Sequence, residues 1–328
     1  MTSSSLSRRV LLLATAAATL GASPLLHAQT DYPSRPITLV VGYPAGGSTD
    51  LTARLVGAEL SKQIGEHVII ENVGGAGGAI GAQRVAKAAP DGYTLLLGAS
   101  NEMAIARLIN KAIKYDGLKD FTPVGLVSTQ PLVMVTSAAS DVKTIPDFLS
   151  SVRANPGQSS FGSSGVGTSL HLGGESLKKA AGLELVHVPY RGVAPLTSDL
   201  LGGQLQYGVF VLSSALPNIR AGKLVPLGLL QKSRSAMAPQ IPTFAEAAGL
   251  KDVDMNVWFA LYGPAGMPAA LTGKLRTALA KVLQAPEFRA KMEESGSTVA
   301  DPGIDLSEFQ AAETAKYRRI VEFAKIEG

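Results

Sequence analysis

Two glycine-rich turns, each following an apolar run and each leading into a helical pattern, have the composition of an anion-binding site. In the first, Ile37 to Val41 runs into Gly42-Tyr43-Pro44-Ala45-Gly46-Gly47, and Ser48, Thr49 and Asp50 precede the apolar positions Leu51, Leu55 and Ala58. Gly46 and Gly47 carry no side chain, so backbone N–H groups can approach a ligand, and the positive end of the following helix faces the turn. In the second, Ser159-Ser160-Phe161 leads into Gly162-Ser163-Ser164-Gly165-Val166-Gly167-Thr168-Ser169, and a helical pattern starts near Leu170. Two half-sites of this kind predict two lobes that grip one small anion between them.

Other chemistries fit less well. The cluster from Gly74 to Gly81 lacks the G-x-G-x-x-G spacing of a dinucleotide site, and no Walker motif is present. Gly162-Ser163-Ser164-Gly165-Val166 misses the nucleophile elbow because Val166 stands where its last glycine belongs. His67 and His187 lie at or within strand-like segments and read as structural, whereas His171 falls in the first turn of the second half-site helix and could point at ligand. Arg191, after the run Leu185 to Val188, could clamp a carboxylate in a bidentate pair or could be tied to a neighbouring acid. Asp199 reads more readily as a helix or turn residue than as a ligand contact. No H-E-x-x-H pattern or carboxylate cluster points to a metal, and no cofactor is expected.

The ends and composition narrow the class. Arg8 and Arg9 precede the apolar run Val10 to Leu20, which is too short to span a bilayer, where about 20 apolar residues are needed. Residues 1–28 are therefore expected to be a secretory signal peptide, cleaved after Ala28. The chain has no cysteine, which excludes disulfides, thiolate metal sites and a lipid anchor on cysteine. Loss of Arg8 and Arg9 lowers the formal net charge from +4 to +2, and no dense basic run with interleaved aromatics remains to follow nucleic acid. With 46% hydrophobic and 17% charged residues, the mature chain can build two cored domains.

Positioning such turns requires alternating elements. Strands are expected at 37–41, 68–70, 93–97, 122–128, 132–136, 185–188, 207–212, 224–229 and 257–262. Helices are expected at 51–63, 79–88, 145–154, 170–180, 195–201, 269–284, 286–295 and 306–325. This alternation predicts an α/β fold with parallel strands and crossover helices, whose ligand sits beyond the carboxyl ends of the strands. The expected lobes are 29–128 with 257–328, and 129–256.

Several segments together resemble the substrate-binding receptors of tripartite tricarboxylate transporters, often called Bug receptors. They are Tyr32-Pro33-Ser34-Arg35-Pro36-Ile37, the turn from Pro44 to Asp50, Ala89-Pro90-Asp91-Gly92-Tyr93-Thr94-Leu95, and the run from Gly162 to Thr168. His187-Val188-Pro189-Tyr190-Arg191-Gly192 and Ile219-Arg220-Ala221-Gly222-Lys223 extend the match over essentially the whole mature chain. The resemblance implies a non-enzymatic, monomeric, periplasmic receptor of Venus-flytrap form that delivers a small carboxylate to a membrane permease. It also implies that two pincer loops hold the ligand. The first would use Tyr43, Pro44, Ala45, Gly46, Gly47, Ser48 and Thr49, and the second Ser164, Gly165, Gly167, Thr168 and Ser169. Ser100 matches a third position near the ligand.

The chain departs from the family pattern at Glu71-Asn72-Val73-Gly74, at Asn101-Glu102 and at Val211. Val211 stands where an aspartate is common, which weakens any case for a ligand amino group. Glu102 reads either as a solvated loop acid or as a cleft group that would repel a second carboxylate, by about 4 kcal/mol at ~4 Å and an effective dielectric of ~20. Two competing readings stand beside the receptor: a secreted hydrolase or lyase using Ser164 and His171, and a ligand-sensing partner of a membrane signalling protein.

Overall fold

The computed structural model describes residues 32–326; the signal-peptide expectation lies outside them. Parallel strands β1 (Ile37–Val41), β2 (Val68–Asn72) and β3 (Thr94–Ala99) form one end of the sheet, with β1 in the middle. Ile37, Leu39, Val40 and Val41 are fully buried, the near-continuous apolar run of a strand covered on both faces. At the other end, β5 (Ser160–Ser163) lies between β6 (Val186–Pro189) and β7 (Tyr207–Val211), again all parallel.

A single strand joins the two ends. Two short strands were expected at 122–128 and 132–136, but β4 runs unbroken over Phe121–Ser137. Pro131, which reads as a break because it has no N–H, sits opposite Asn256 where β4 changes partners. Before that point β4 pairs with β9 (Asn256–Pro264) and β10 (Thr298–Val299); after it, with β7 and β8 (Leu224–Leu229). Every one of these β4 pairings is antiparallel, and so is β3 with β9, so the mainly parallel order expected lies toward the two ends and the strands between them run antiparallel. The result is one ten-stranded sheet whose two parts define a two-lobed α/β fold.

The helices are α1 (Ser48–Ile64), α2 (Ala79–Ala86), α3 (Ala106–Ile109), α4 (Ile145–Ala154), α5 (Ser169–Ala181) and α6 (Val193–Leu201). They continue with α7 (Leu212–Arg220), α8 (Phe244–Ala248), α9 (Ala269–Gln284), α10 (Pro286–Glu294) and α11 (Leu306–Ala324). Helix α3 continues a π-helical turn, Asn101–Ile105, directly after β3. That segment and α7, which contains Pro217, have no counterpart among the expected elements.

The buried face of α1 also differs from expectation. Leu51 and Ala58 are exposed, while Ala53, Val56, Gly57 and Leu60 face the sheet. Gly57 lies so close to β2 that an added Cβ would stand 2.9 Å from Ile70 Cδ1. Close approach to the strands thus selects small residues, and apolar spacing alone points to the wrong face.

Helix α5 packs the same way. A Cβ on Gly174 would fall 2.1 Å from the ring of Phe161, a fully buried residue with no room to swing away. Gly174→Ala should therefore destabilise the fold by about 1–3 kcal/mol despite alanine's better helix propensity, since overpacking outweighs the ~1 kcal/mol propensity gain. Urea unfolding of the two proteins measures it.

Candidate functional site

The β1–α1 and β5–α5 turns face one another across a cleft of about 630 Å³. Of the expected ligand residues, Tyr43, Pro44, Ser164, Gly165, Gly167, Thr168 and Arg191 line it. The wall is completed by residues that sequence reasoning did not assign: Asn101, Ala106, Ile109, Asn110, Ile113 and Val166. Most of these follow β3, the carboxyl end of a parallel strand, which was the available signal. Gly75, Ala76, Gly77 and Gly78 also line the cleft.

Ala45, Gly46, Gly47, Ser48 and Thr49 are not among the lining residues. Their turn is held from within. Gly46 adopts φ +87°, which glycine tolerates best, and its N–H donates to Asp50 Oδ2 at 2.9 Å. Arg54 Nε reaches the same oxygen at 2.9 Å, and Asn72 Nδ2 donates to Asp50 Oδ1 at 3.0 Å and to the Tyr43 carbonyl at 2.9 Å. Burial works against the charge on Asp50, yet these hydrogen bonds hold its carboxyl below the usual range. The amino end of α1 thus already faces an internal carboxylate.

The amino end of α5 is met from across the cleft. Asn101 Oδ1 accepts from Ser169 N at 2.6 Å and from Ser169 Oγ at 2.7 Å, and Ser100 Oγ lies 2.8 Å from Ser169 Oγ. Ser100 and Ser169 are fully buried, so they form the floor of a clasp between the turns. Gly167, at φ +71°, lies so near Ile109 that a Cβ would stand 2.5 Å from Ile109 Cδ1.

Because Asn101 Oδ1 accepts, its Nδ2 is the donor to Tyr43 Oη, at 2.9 Å. Tyr43 Oη also lies 2.7 Å from the Gly77 carbonyl and 2.8 Å from Glu102 Oε2. The phenol has a single proton and the carbonyl can only accept. That proton can serve Gly77 or Glu102 but not both, so the two acceptors compete for it. Glu102 is neither a solvated loop acid nor a cleft-lining group: it is 2% exposed, and its other oxygen accepts from Ala99 N at 2.6 Å. Burial raises its pKa from 4.5 to about 7, against the pull of its hydrogen bonds.

Beneath the second turn, His171 and His187 stack with ring centroids 3.6 Å apart and planes 10° apart. His171 Nδ1 accepts from Gly167 N–H at 3.1 Å, which directs this nitrogen into the loop and puts the ring proton on Nε2, 3.8 Å from Glu175 Oε1. His187 Nε2 lies 2.7 Å from Ser163 Oγ. Burial lowers His171 to about 4; burial, with the neighbouring ring and Lys178, lowers His187 to about 3. Both are neutral at pH 7. The serine that meets an imidazole is thus the buried Ser163, not Ser164. Asp199 accepts from the Tyr190 hydroxyl at 2.9 Å.

The family of proteins with this fold and cleft can now be identified. Residues 52–326 match the family described as the tripartite tricarboxylate transporter family receptor, TctC. Protein BugT of Bordetella pertussis is 34% identical over 86% of this chain and 86% of its own. Among solved structures, "R. palustris Rpa4515 with adipate" is 32% identical with a TM-score of 0.86, covering 90% of this chain and 99% of that one. The periplasmic binding protein BugD is 31% identical with a TM-score of 0.84, over 90% and 99%. This chain belongs to the tripartite tricarboxylate transporter receptor family and has the two-lobed fold of a solute-binding receptor. Among the described residues no helix is long and apolar enough to cross a membrane.

Glu102 and the histidine pair respond to pH in opposite senses. A carboxyl raised in the folded state stabilises the fold below its ordinary value of 4.5 and loses that contribution as pH rises through about 7. The lowered imidazoles contribute above 6.5 and lose their contribution as pH falls toward about 4 and about 3. The stability of the parent chain relative to Glu102→Gln should therefore fall between pH 4.5 and about 7 in urea melts. A pH-independent difference would put Glu102 at an ordinary carboxylate value.

Proposed function

We propose that this chain is a periplasmic receptor that closes two lobes around a small carboxylate and delivers it, as a monomer, to a membrane permease of the tripartite tricarboxylate type. One observation carries the reading: two strand-to-helix turns face each other across a cleft in which Arg191 is the single charged side chain among the lining residues. The lobes are taken as 29–128 with 257–328, and 129–256, a division supported by the change of partners at Pro131 in β4 and by β9 beginning at Asn256. Residues 1–28 would direct export and be removed, and no cofactor is invoked.

The receptor acts without catalysis on this reading. His171 spends Nδ1 on the Gly167 amide, and Ser163, which meets His187, is fully buried. Neither pair offers an accessible nucleophile with a base in reach. Ligand binding instead shifts an open–closed equilibrium by its greater affinity for the closed state, whose clasp is Ser100, Asn101 and Ser169.

The test is thermal shift and calorimetry of purified protein against mono-, di- and tricarboxylates, with the acid recovered unchanged by NMR. Binding without turnover is expected; no response to any acid, or conversion of one, would overturn the reading. Asn101→Ala removes two bonds of about 0.5–1.5 kcal/mol each from the clasp and should weaken affinity for whichever acid binds by roughly tenfold. Calorimetry reads that loss, and small-angle scattering should show a more open unliganded protein.

A further inference from the structure

Resting on the carboxylate-receptor reading, we infer that the preferred ligand is a monocarboxylate with an apolar body, held by Arg191 at one end and by Ile109, Ile113 and Val166 along its length. The argument starts from the positive groups the cleft can offer. Asp50 stands at the amino end of α1 and takes the Gly46 amide, and Asn101 stands at the amino end of α5 and takes the Ser169 amide. The Gly167 amide goes to His171 Nδ1. Arg191 is left as the one cationic side chain among the lining residues. Its side chain is exposed, and Asp199, a few residues on, is bonded to Tyr190 instead.

The rest of the wall is uncharged: Ile109, Ile113 and Val166 give it an apolar stretch, and its polar side chains are Tyr43, Asn101, Asn110, Ser164, Thr168 and Tyr190. Ile109 and Ile113 come from the segment after β3, and Val166 projects from the tip of the second turn with half its surface open. The amide of Asn101 is oriented by the clasp, its oxygen accepting from Ser169 and one of its N–H groups donating to Tyr43. A dicarboxylate would bring a second charge out of water where the lining offers it only uncharged side chains, whereas an alkyl or aryl body beside Ile109, Ile113 and Val166 loses nothing by leaving water. Glu102 is buried behind Tyr43 and adds no positive charge to that end.

The experiment compares acids that differ in length and in charge by calorimetry at pH 7: acetate, hexanoate and benzoate as monocarboxylates, and adipate as the dicarboxylate of hexanoate's length. Hexanoate should bind about tenfold or more tighter than adipate, and affinity should rise roughly threefold per methylene from acetate to hexanoate. Arg191→Gln should weaken hexanoate about tenfold or more by removing a charge-assisted pair, with the melting temperature of the free protein unchanged because the side chain is exposed. Val166→Lys, at an exposed loop tip, should move the adipate-to-hexanoate affinity ratio about tenfold toward adipate. Adipate binding as tightly as hexanoate, or an Arg191→Gln protein that binds hexanoate normally, overturns the inference and leaves the receptor reading intact. No binding of any acid overturns both.

Discussion

The bond on which the site depends runs from the Ser169 amide to Asn101 Oδ1, because it satisfies a helix end with a side chain from the opposite wall. A helix amino terminus presents N–H groups with no partner inside the helix, and a buried donor left unpaired costs about 1–3 kcal/mol. Asn101 removes that cost at α5 and in doing so ties the two turns together. Its amide nitrogen is in turn fixed by Tyr43, and Tyr43 by Gly77 and Glu102. Each hydrogen bond orients the next, so the buried Glu102 carboxyl is linked through Tyr43 and Asn101 to the geometry of the cleft wall.

The same economy governs the first turn. Asp50 meets the Gly46 amide and is itself held by Arg54 and Asn72, so the turn is rigid before any ligand arrives. Both turns therefore spend a glycine amide on a side chain four residues ahead, Asp50 in one and His171 in the other. Rigid turns serve a receptor well: less order must be imposed when the ligand binds. Arg191 is left as the one charged side chain among the residues that line the cleft.

Under the second turn, two neutral imidazoles stack against each other and against Phe161. A charge on either would be buried beside the other ring, so burial and proximity keep both in the neutral form. Their polar atoms are used to hold Ser163 and Gly167, which explains why histidines so near a ligand loop have structural roles.

The sequence by itself determined most of the elements, the two turns at the ends of parallel strands, and the family. Gly-rich turns after apolar strands are local features, read from neighbours a few residues apart; the family resemblance implied Tyr43, Pro44, Ser164, Gly165, Gly167 and Thr168 in them, and Arg191 was read from its place after a strand-like run. Tertiary structure decided what no local pattern encodes. Proximity of Ala53, Val56 and Gly57 to the strands, rather than the spacing of Leu51, Leu55 and Ala58, set the buried face of α1. Hydrogen bonds between residues far apart in sequence joined the buried Glu102 to Tyr43, closed Ser100 and Asn101 onto Ser169, and tied Asn72 to Asp50. Whether a polar group serves the fold or a ligand depends on which partner reaches it first, and that is a property of packing, not of spacing.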